Sequence, residues 1–212
     1  MPGEYKLCAV ILAAGESSRM GRDKALLPWP PDDPAAGQTM LSAAILALKP
    51  FARTVIAVAG KNAARLAPVV AACGAELARN PEPERGQFSS MQVGLRAALQ
   101  NGCDAAIITP IDCPPLSAQT LELLCASFEQ ALAAGKWAVA PESNGRHGHP
   151  LVAGRELIGA FLAAPAAGNA REVKRAHEHR IEYVSVFEPM LSVDMNTPEQ
   201  YAALSAATTR RY

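Results

Sequence analysis

The sequence lacks several features, and each absence removes a class of protein from consideration. No apolar stretch approaches the roughly 18 residues needed to cross a bilayer, and the amino-terminal residues lack the order of a secretory signal. Lys and Arg together number 20, as do Asp and Glu, so no net charge would attract nucleic acid or an anionic membrane. These absences predict a cytoplasmic protein with no nucleic-acid partner and no membrane partner.

Cysteine is scarce and poorly arranged for cross-linking. The five cysteines are odd in number and widely spaced, and no two of them form a CxxC pair. This pattern argues against a disulfide framework and against a zinc site. We therefore expect Cys8, Cys73, Cys103 and Cys125 to pack as small hydrophobic side chains. Cys113 has no basic neighbour in the sequence to activate a thiolate, so packing is expected there too.

What is present is an alternation of apolar strands and helical segments. Runs rich in β-branched residues alternate with longer segments of helical periodicity, which is typical of βαβ units around a mostly parallel sheet. With no repeat and no dividing linker, residues 1–212 are expected to form a single α/β domain. Strands are expected at residues 7–13, 54–59, 105–109, 137–141 and 181–186, with weaker patterns at 75–78, 150–153 and 191–193.

Helix ends and one loop can also be predicted from local chemistry. Ser117, Asn169 and Thr197 are each expected to cap a helix, and Gly135 is expected to follow the end of the first of these. The prolines and aspartates of residues 29–38 indicate a surface loop.

A glycine-containing loop follows the first predicted strand, where ligands bind in open parallel sheets. Gly15 is expected to take a positive φ and expose backbone N–H groups, while Arg19 and Lys24 add positive charge. The loop has neither GxGxxG nor the P-loop spacing, since five residues separate Gly15 from Gly21. From the residues alone, a phosphate cradle and an ordinary loop with surface cations are equal alternatives.

Two aspartates follow apolar runs at the edge where ligands bind. Asp112 follows the run AAIIT and precedes two prolines, and Asp194 follows the short run LSV. Mg²⁺ prefers one or two carboxylates together with substrate phosphates and water, so the pair is a candidate Mg²⁺ site. Taken singly, either residue is more consistent with an aspartate that caps a helix or orders a loop.

Five motifs, in order along nearly the whole chain, resemble those of the MobA-like nucleotidyltransferases. The resemblance implies a Rossmann-like three-layer α/β/α fold with a mostly parallel sheet. It also implies transfer of a nucleoside monophosphate to a phosphorylated acceptor, with release of pyrophosphate. The motifs are LAAGESSRMGRDKALLP (12–28), NPEPERGQFSSMQVGL (80–95), TPIDCPPL (109–116), GRHGHPLV (145–152) and SVDMNTPEQY (192–201).

The resemblance assigns roles to charged residues in these motifs. Lys24 is expected to bind the α-phosphate, Arg19 the β- and γ-phosphates, and Asp112 and Asp194 a Mg²⁺ ion. Many relatives have a second aspartate where this chain has Asn196. Asn196 could coordinate the metal through its amide oxygen, or it could contact the metal ligands without coordinating the metal itself. The alternative for Lys24 is a surface salt bridge.

Other positions resemble the elements that bind the nucleotide and the acceptor. Ser90 is expected to contact the base, with capping of a helix as its alternative, and His149 is placed near the acceptor, with a structural turn as its alternative. The full set implied for nucleotide binding is Leu12, Ala13, Ala14, Gly15, Arg19, Lys24, Gly86 and Ser90.

The identity of the donor depends on one position. The opening LAAG resembles the branch that makes the cytidine dinucleotide form of molybdenum cofactor, whereas the guanylyl-transferring branch more often has LAGG. The expected partners are therefore CTP, a phosphorylated pterin acceptor (molybdopterin), and a molybdoenzyme or its maturation chaperone. The alternatives are a GTP-dependent enzyme, an enzyme for another phosphorylated small molecule, and a non-catalytic protein that delivers nucleotide or cofactor.

Overall fold

The computed structural model describes residues 5–17, 20–165, 168–193 and 195–208. Within these ranges, helices cover both faces of an eight-stranded sheet. The strands are β1 (Leu7–Leu12), β2 (Pro28–Trp29), β3 (Gln38–Thr39), β4 (Thr54–Ala59), β5 (Glu76–Arg79), β6 (Ala105–Pro110), β7 (Ala138–Ser143), β8 (Arg146–His147), β9 (Leu151–Gly154) and β10 (Ile181–Ser185). The helices are α1 (Met40–Leu48), α2 (Ala63–Ala72), α3 (Gln87–Gln100), α4 (Ala118–Ala133), α5 (Arg155–Ala163), α6 (Ala170–Ala176) and α7 (Pro198–Thr208).

The sheet is mixed and mostly parallel. Its order is β10-β7-β9-β6-β1-β4-β5, with β8 paired to β7 outside this path. The central strand β1 runs parallel to β4 and to β6, so the carboxyl ends of these three strands meet at one edge. Strand β9 is antiparallel to both β6 and β7. This arrangement confirms the predicted Rossmann-like α/β fold.

Alternation of side chains along β1 explains the layers on either side of the sheet. Ala9 and Ile11 face a core shared with α1, α2 and α4, while Cys8, Val10 and Leu12 face a core shared with α3 and α5. Both faces are apolar because a central strand in an α/β sheet is covered on both sides. The core therefore holds β1 rigidly, and the loop that follows it starts from a fixed point.

Most of the predicted strands and helix ends are confirmed, but one strand prediction is wrong. Residues 189–192 form a 3₁₀ helix, so the predicted strand at 191–193 is absent from the sheet. The apolar side chains of this segment pack against the core instead of pairing with a strand. The capping predictions hold, because the side chains of Ser117, Asn169 and Thr197 accept hydrogen bonds from the first turns of α4, α6 and α7.

The prediction of packed free thiols is wrong for two cysteines. Cys8 in β1 and Cys103, just before β6, form a disulfide, and both residues are buried. The pairing of β1 with β6 brings the two Cα atoms to 5.9 Å, within the usual range for a disulfide. The sequence could not reveal this pair because 95 positions separate the two residues.

The segment predicted as a surface loop is closed at its base by a small ribbon. Strands β2 and β3 pair in antiparallel fashion, and most residues between them are exposed. The hydroxyl of Tyr201 in α7 donates a hydrogen bond to the carbonyl oxygen of Pro28, which ties the ribbon to the carboxyl-terminal helix. Among the residues that the structure describes, no helix has the length and apolar character needed to span a membrane.

Candidate active site

A cavity of about 270 Å³ opens at the sheet edge where β1, β4 and β6 end, and we call it the first cavity. Loops after β1 and β6 and the amino-terminal end of α3 form its wall. The fold thus brings together residues that are far apart in the sequence. Those of the predicted site residues that line it are Leu12, Ala14, Gly15, Lys24, Gly86, Ser90 and Asp112.

Lys24 is the central cation of the first cavity. Its ammonium group donates a hydrogen bond of 2.9 Å to Oδ1 of Asn196 and lies 3.6 Å from Oδ2 of Asp112. The backbone N–H of Met195 donates to the carbonyl oxygen of Asp112, which fixes the last motif beside the β6 loop. The side chain of Lys24 is only 11% exposed, so its charge acts in a partly desolvated place. Lys24 therefore faces the cavity and not the outer surface.

The oxygen atoms around Lys24 have the chemistry that a hard divalent cation needs. The carboxylate of Asp112 and the amide oxygen of Asn196 both lie within 4.0 Å of one point, the Nζ atom of Lys24. A Mg²⁺ ion bound with a triphosphate requires one or two such protein oxygens, with phosphates and water completing its shell. Within the described ranges, no group of three or more His, Cys, Asp and Glu residues could hold a metal by itself.

Two residues that sequence reasoning missed hold Lys24 in position. Asp23 caps the 3₁₀ helix that begins at Lys24, and its Oδ2 atom accepts a 3.0 Å hydrogen bond from Asn62. Asn62 also donates to the carbonyl oxygen of Ala13 and accepts from the N–H of Gly60. Asn62 thereby links the β1 loop to the β4 loop. Its position three residues after the apolar run of β4 was the sequence signal that could have found it.

The turn in the β1 loop differs from the prediction. Gly15 does not take a positive φ; Ser17 does, with a φ of 50°. The hydroxyl oxygen of Ser17 accepts a 3.1 Å hydrogen bond from the backbone N–H of Lys24. A polar residue can adopt this left-handed conformation when its side chain forms a local hydrogen bond, as Ser17 does here. Gly15 is exposed and lines the first cavity.

Ser90 lies inside α3, where it faces the first cavity. Gly86, with a φ of 93°, is the N-cap residue of this helix, so the alternative role of Ser90 as a helix cap is wrong. The Oγ atom of Ser90 accepts a 3.0 Å hydrogen bond from Nδ2 of buried Asn80. This contact orients the Ser90 hydroxyl beside the first cavity.

One predicted residue that the structure describes, Ala13, has a different role from the one expected. Ala13 does not line the first cavity, because its N–H donates to Val58 in β4 and its carbonyl oxygen accepts from Asn62. Its contribution is to hold the β1 loop against the β4 loop. Arg19 and Asp194 lie outside the described residues.

A second cavity of about 710 Å³ adjoins the first and shares Leu12, Gly86 and Gln87 with it. His149, which is joined to Pro150 by a cis peptide bond, lines this second cavity. Burial lowers the pKa of His149 to about 4, and the charge of Lys174 acts in the same direction. The Nδ1 atom of His149 is buried and has no hydrogen-bond partner in the part of the chain that the structure describes. A neutral imidazole therefore presents an unused polar atom beside the second cavity.

The other histidine of this motif, His147, also lines the second cavity but has partners of its own. The ring of His147 stacks on Tyr183 with 3.6 Å between the ring centroids, and its Nε2 atom lies 3.4 Å from Oε2 of Glu142. These contacts tie His147 to β10 and β7.

Comparison with known proteins identifies the family of the chain. Residues 9–181 match the model of the family described as "MobA-like NTP transferase domain". A molybdenum cofactor guanylyltransferase from Shewanella amazonensis is 29% identical over 97% of this chain and 98% of its own length.

Solved structures show the same fold. A nucleotidyl transfer enzyme from Methanothermobacter thermautotroptrophicus superposes with a TM-score of 0.78 at 23% identity, covering 99% of this chain and 100% of that one. A Mycobacterium tuberculosis protein crystallised with manganese has a TM-score of 0.70 at 19% identity, covering 95% of this chain and 99% of that one. The family match spans most of the chain and includes the β1 loop, Lys24 and Asp112. The chain therefore belongs to the MobA-like NTP transferase family.

Proposed function

We propose that this protein transfers a nucleoside monophosphate from a nucleoside triphosphate to molybdenum cofactor and releases pyrophosphate. The observation that carries the proposal is the convergence of Lys24, Asp112 and Asn196 in the first cavity, with a second cavity beside them. In this reaction an oxygen of the acceptor phosphate bonds to the α-phosphorus of the nucleotide. The bond from that phosphorus to the bridging oxygen breaks, and pyrophosphate leaves with the electron pair.

The residues of the first cavity supply positioning and charge. Phosphoryl and nucleotidyl transfer need little proton chemistry, so fixed positive charge near the reacting phosphates is the main contribution of the protein. Lys24 provides that charge at the α-phosphate, and its hydrogen bond to Asn196 fixes the direction of its side chain. Arg19 is the proposed partner of the β- and γ-phosphates. Gly86 and Ser90 line the first cavity and are proposed to contact the base.

A divalent cation completes the proposed site. Mg²⁺ is the cation that we propose, with Asp112 as its carboxylate ligand, Asp194 as a second ligand and Asn196 as an amide oxygen beside them. Such an ion neutralises charge on the triphosphate when it is bound. The manganese complex of the mycobacterial relative supports a divalent ion in this fold.

The proposed acceptor is a pterin phosphate, and it binds in the second cavity. The name of the Shewanella relative supports molybdenum cofactor as the acceptor. The second cavity, at about 710 Å³, is large enough for a small-molecule ligand, and it adjoins the first cavity at Leu12 and Gly86. His149 lines it and is proposed to contact the acceptor.

Two donor bases have support, from different observations. The name of the Shewanella relative, a guanylyltransferase aligned along nearly the full chain, favours GTP. The sequence LAAG favours CTP, and Ala14, the residue that distinguishes it from LAGG, lines the first cavity. A methyl group at this position narrows the cavity, which suits a pyrimidine better than a purine. The relative's name is the broader support, so GTP stands first and CTP second.

Thermal unfolding with Mg²⁺ and each of CTP, GTP, ATP and UTP distinguishes these donors. A ligand at 100 times its dissociation constant stabilises the native state by about 2.7 kcal/mol. Each kcal/mol raises the midpoint by roughly 2 to 4 °C for a chain of this size. A shift with GTP alone supports guanylyl transfer, and a shift with CTP alone supports cytidylyl transfer. The variant Ala14→Gly should raise the response to GTP relative to CTP if Ala14 selects the base.

A further inference from the structure

Two basic residues of α6, Arg171 and Lys174, line the second cavity without a visible counter-ion. They are three positions apart and therefore lie on neighbouring parts of one helix surface. Neither has a carboxylate within 4.0 Å among the residues that the structure describes. Arg85, which lines the same cavity, differs from them because it forms an ion pair with Glu82.

The surroundings of Lys174 disfavour its positive charge, and in the described portion of the chain no carboxylate lies near it that would compensate. Lys174 is half-buried, and burial lowers its pKa, with the charge of Arg171 acting in the same direction. Desolvation and a like charge both destabilise the ammonium form, and an anion between the two side chains would offset both effects. A third polar group without a partner, Nδ1 of His149, lies at the same cavity.

We propose that Arg171, Lys174 and His149 form the binding site for the phosphate monoester of the acceptor. This inference rests on the proposed function, because it names the residues that hold the acceptor in that reaction. A phosphate monoester offers two negative charges and three terminal oxygens, which matches two cations and one neutral imidazole. The guanidinium of Arg171 can bind two of the oxygens and Lys174 can bind the third. The neutral imidazole of His149 can donate to one of these oxygens in the tautomer that carries its proton on Nδ1.

The placement of His149 connects this site with the first cavity. The charges of both Lys174 and Asp112 act on its imidazole, so the ring lies within electrostatic reach of both. The two cavities also share Leu12, Gly86 and Gln87. A phosphate held at His149 therefore lies in a cavity that adjoins the first one, and in the proposed reaction one of its oxygens approaches the α-phosphorus of the nucleotide.

Steady-state kinetics with Arg171→Gln and Lys174→Gln test the site, with Arg175→Gln as the matched control. Arg175 belongs to the same helix, is exposed and does not line the second cavity. Hydrogen bonds to charged groups are worth enough to raise the KM for molybdopterin by about ten- to hundredfold in each test variant. The KM for the nucleotide should change less than about twofold. An equal acceptor KM in Lys174→Gln and Arg175→Gln would overturn the inference.

A second measurement does not depend on turnover. Acetylation of lysines with acetic anhydride, followed by mass spectrometry, reports the reactivity of each amine with and without inorganic phosphate. Phosphate should protect Lys174, while Lys61, which is exposed and paired with Glu16, should stay equally reactive. Arg171→Gln should weaken the protection of Lys174. Protection of Lys174 without any turnover of molybdopterin would uphold the anion site and contradict the proposed function. Turnover of molybdopterin without protection of Lys174 would uphold the proposed function and overturn the anion site.

Discussion

Lys24 donates a hydrogen bond of 2.9 Å to Asn196, although 172 positions separate the two residues in the sequence. The contact joins the first of the five family motifs to the last. It places a partly desolvated ammonium group at the end of β1, 3.6 Å from the carboxylate of Asp112 at the end of β6. The first cavity is therefore assembled by the topology of the sheet, and its charge is organised around one lysine.

Replacement of Lys24 by Met should abolish most activity and leave the fold intact. The variant removes the positive charge near the α-phosphate, and loss of one preorganised group that stabilises developing charge typically lowers kcat about 10²- to 10³-fold. Lys61→Met is the control, because Lys61 is 71% exposed and makes only a surface ion pair. Pyrophosphate release measures both. Equal kcat values for the two variants would refute the role of Lys24.

Asn62 should be needed for both stability and activity. Asn62→Ala leaves the carbonyl oxygen of Ala13 and the N–H of Gly60 without their partner, and each unsatisfied buried group costs about 1 to 3 kcal/mol. The melting temperature should fall by about 2 to 4 °C for each kcal/mol. The value of kcat should also fall, because Asp23, which caps the short helix that begins at Lys24, loses its hydrogen bond from Asn62.

The control for Asn62 is Arg65→Gln. Arg65 also contacts Asp23, at 3.1 Å, but its side chain is 63% exposed, so its removal should have little effect on the melting temperature. If Arg65→Gln lowered the melting temperature as much as Asn62→Ala, the ion pair and not the buried amide would be the element that orders the β1 loop.

Two glycines in helices should respond in opposite ways to an added methyl group. A Cβ at Gly94 would lie 2.3 Å from Cγ1 of Val10, so Gly94→Ala should overpack the contact between α3 and β1 and cost about 1 to 3 kcal/mol. Gly159 in α5 has no atom within 4 Å of that position, so Gly159→Ala should stabilise by about 0.5 to 1 kcal/mol. Chemical denaturation measures both. A stable Gly94→Ala variant would show that α3 does not pack this closely.

His149 should make stability depend on pH in mildly acidic solution. Its pKa falls from the ordinary 6.5 to about 4 in the folded protein, because burial and the charge of Lys174 disfavour the imidazolium. The backbone of Ile108 and the charge of Asp112 oppose this shift more weakly. Between these two values the unfolded chain binds the proton more readily than the folded protein does. The contribution of His149 is complete above pH 6.5 and is lost progressively as the pH falls to about 4.

The variant His149→Gln isolates this contribution. Melting temperatures measured from pH 7.5 to pH 4 should fall more steeply in the native protein than in the variant, with the difference developing below about pH 6.5. Parallel curves would show that His149 titrates normally in the folded protein.

Much of the fold was predictable because its determinants are local. The β-branched runs of β1, β4 and β6 and the caps at Ser117 and Asn169 are visible in short stretches of sequence, and the structure confirms them. The run at residues 191–193 was misleading, because a short apolar segment can pack against a core without joining a sheet. The disulfide between Cys8 and Cys103 depends on strand pairing, which spacing in the sequence does not report.

The candidate site shows the same division. Lys24 and Asp112 could be predicted because motifs carry them, whereas Asn62 and Asp23 act through hydrogen bonds that only the folded chain creates. Lys174 appeared in the sequence as one charge in a polar helix, and only the placement of α6 brings it to the second cavity. The sequence predicts a positive φ at Gly15, but Ser17 adopts it instead. The hydrogen bond between the Ser17 hydroxyl and the backbone N–H of Lys24 stabilises this conformation, and a short sequence pattern does not reveal that bond.

Acceptor-dependent release of pyrophosphate tests the central claim most directly. The purified protein would be mixed with Mg²⁺, each nucleoside triphosphate in turn and molybdopterin, and Asp112→Asn would be assayed beside it. We predict release that requires molybdopterin, occurs with GTP or CTP, and falls at least about 10²-fold in Asp112→Asn. Tight nucleotide binding with no pyrophosphate release from the native protein would contradict the account and would indicate a protein that carries nucleotide or cofactor without turnover.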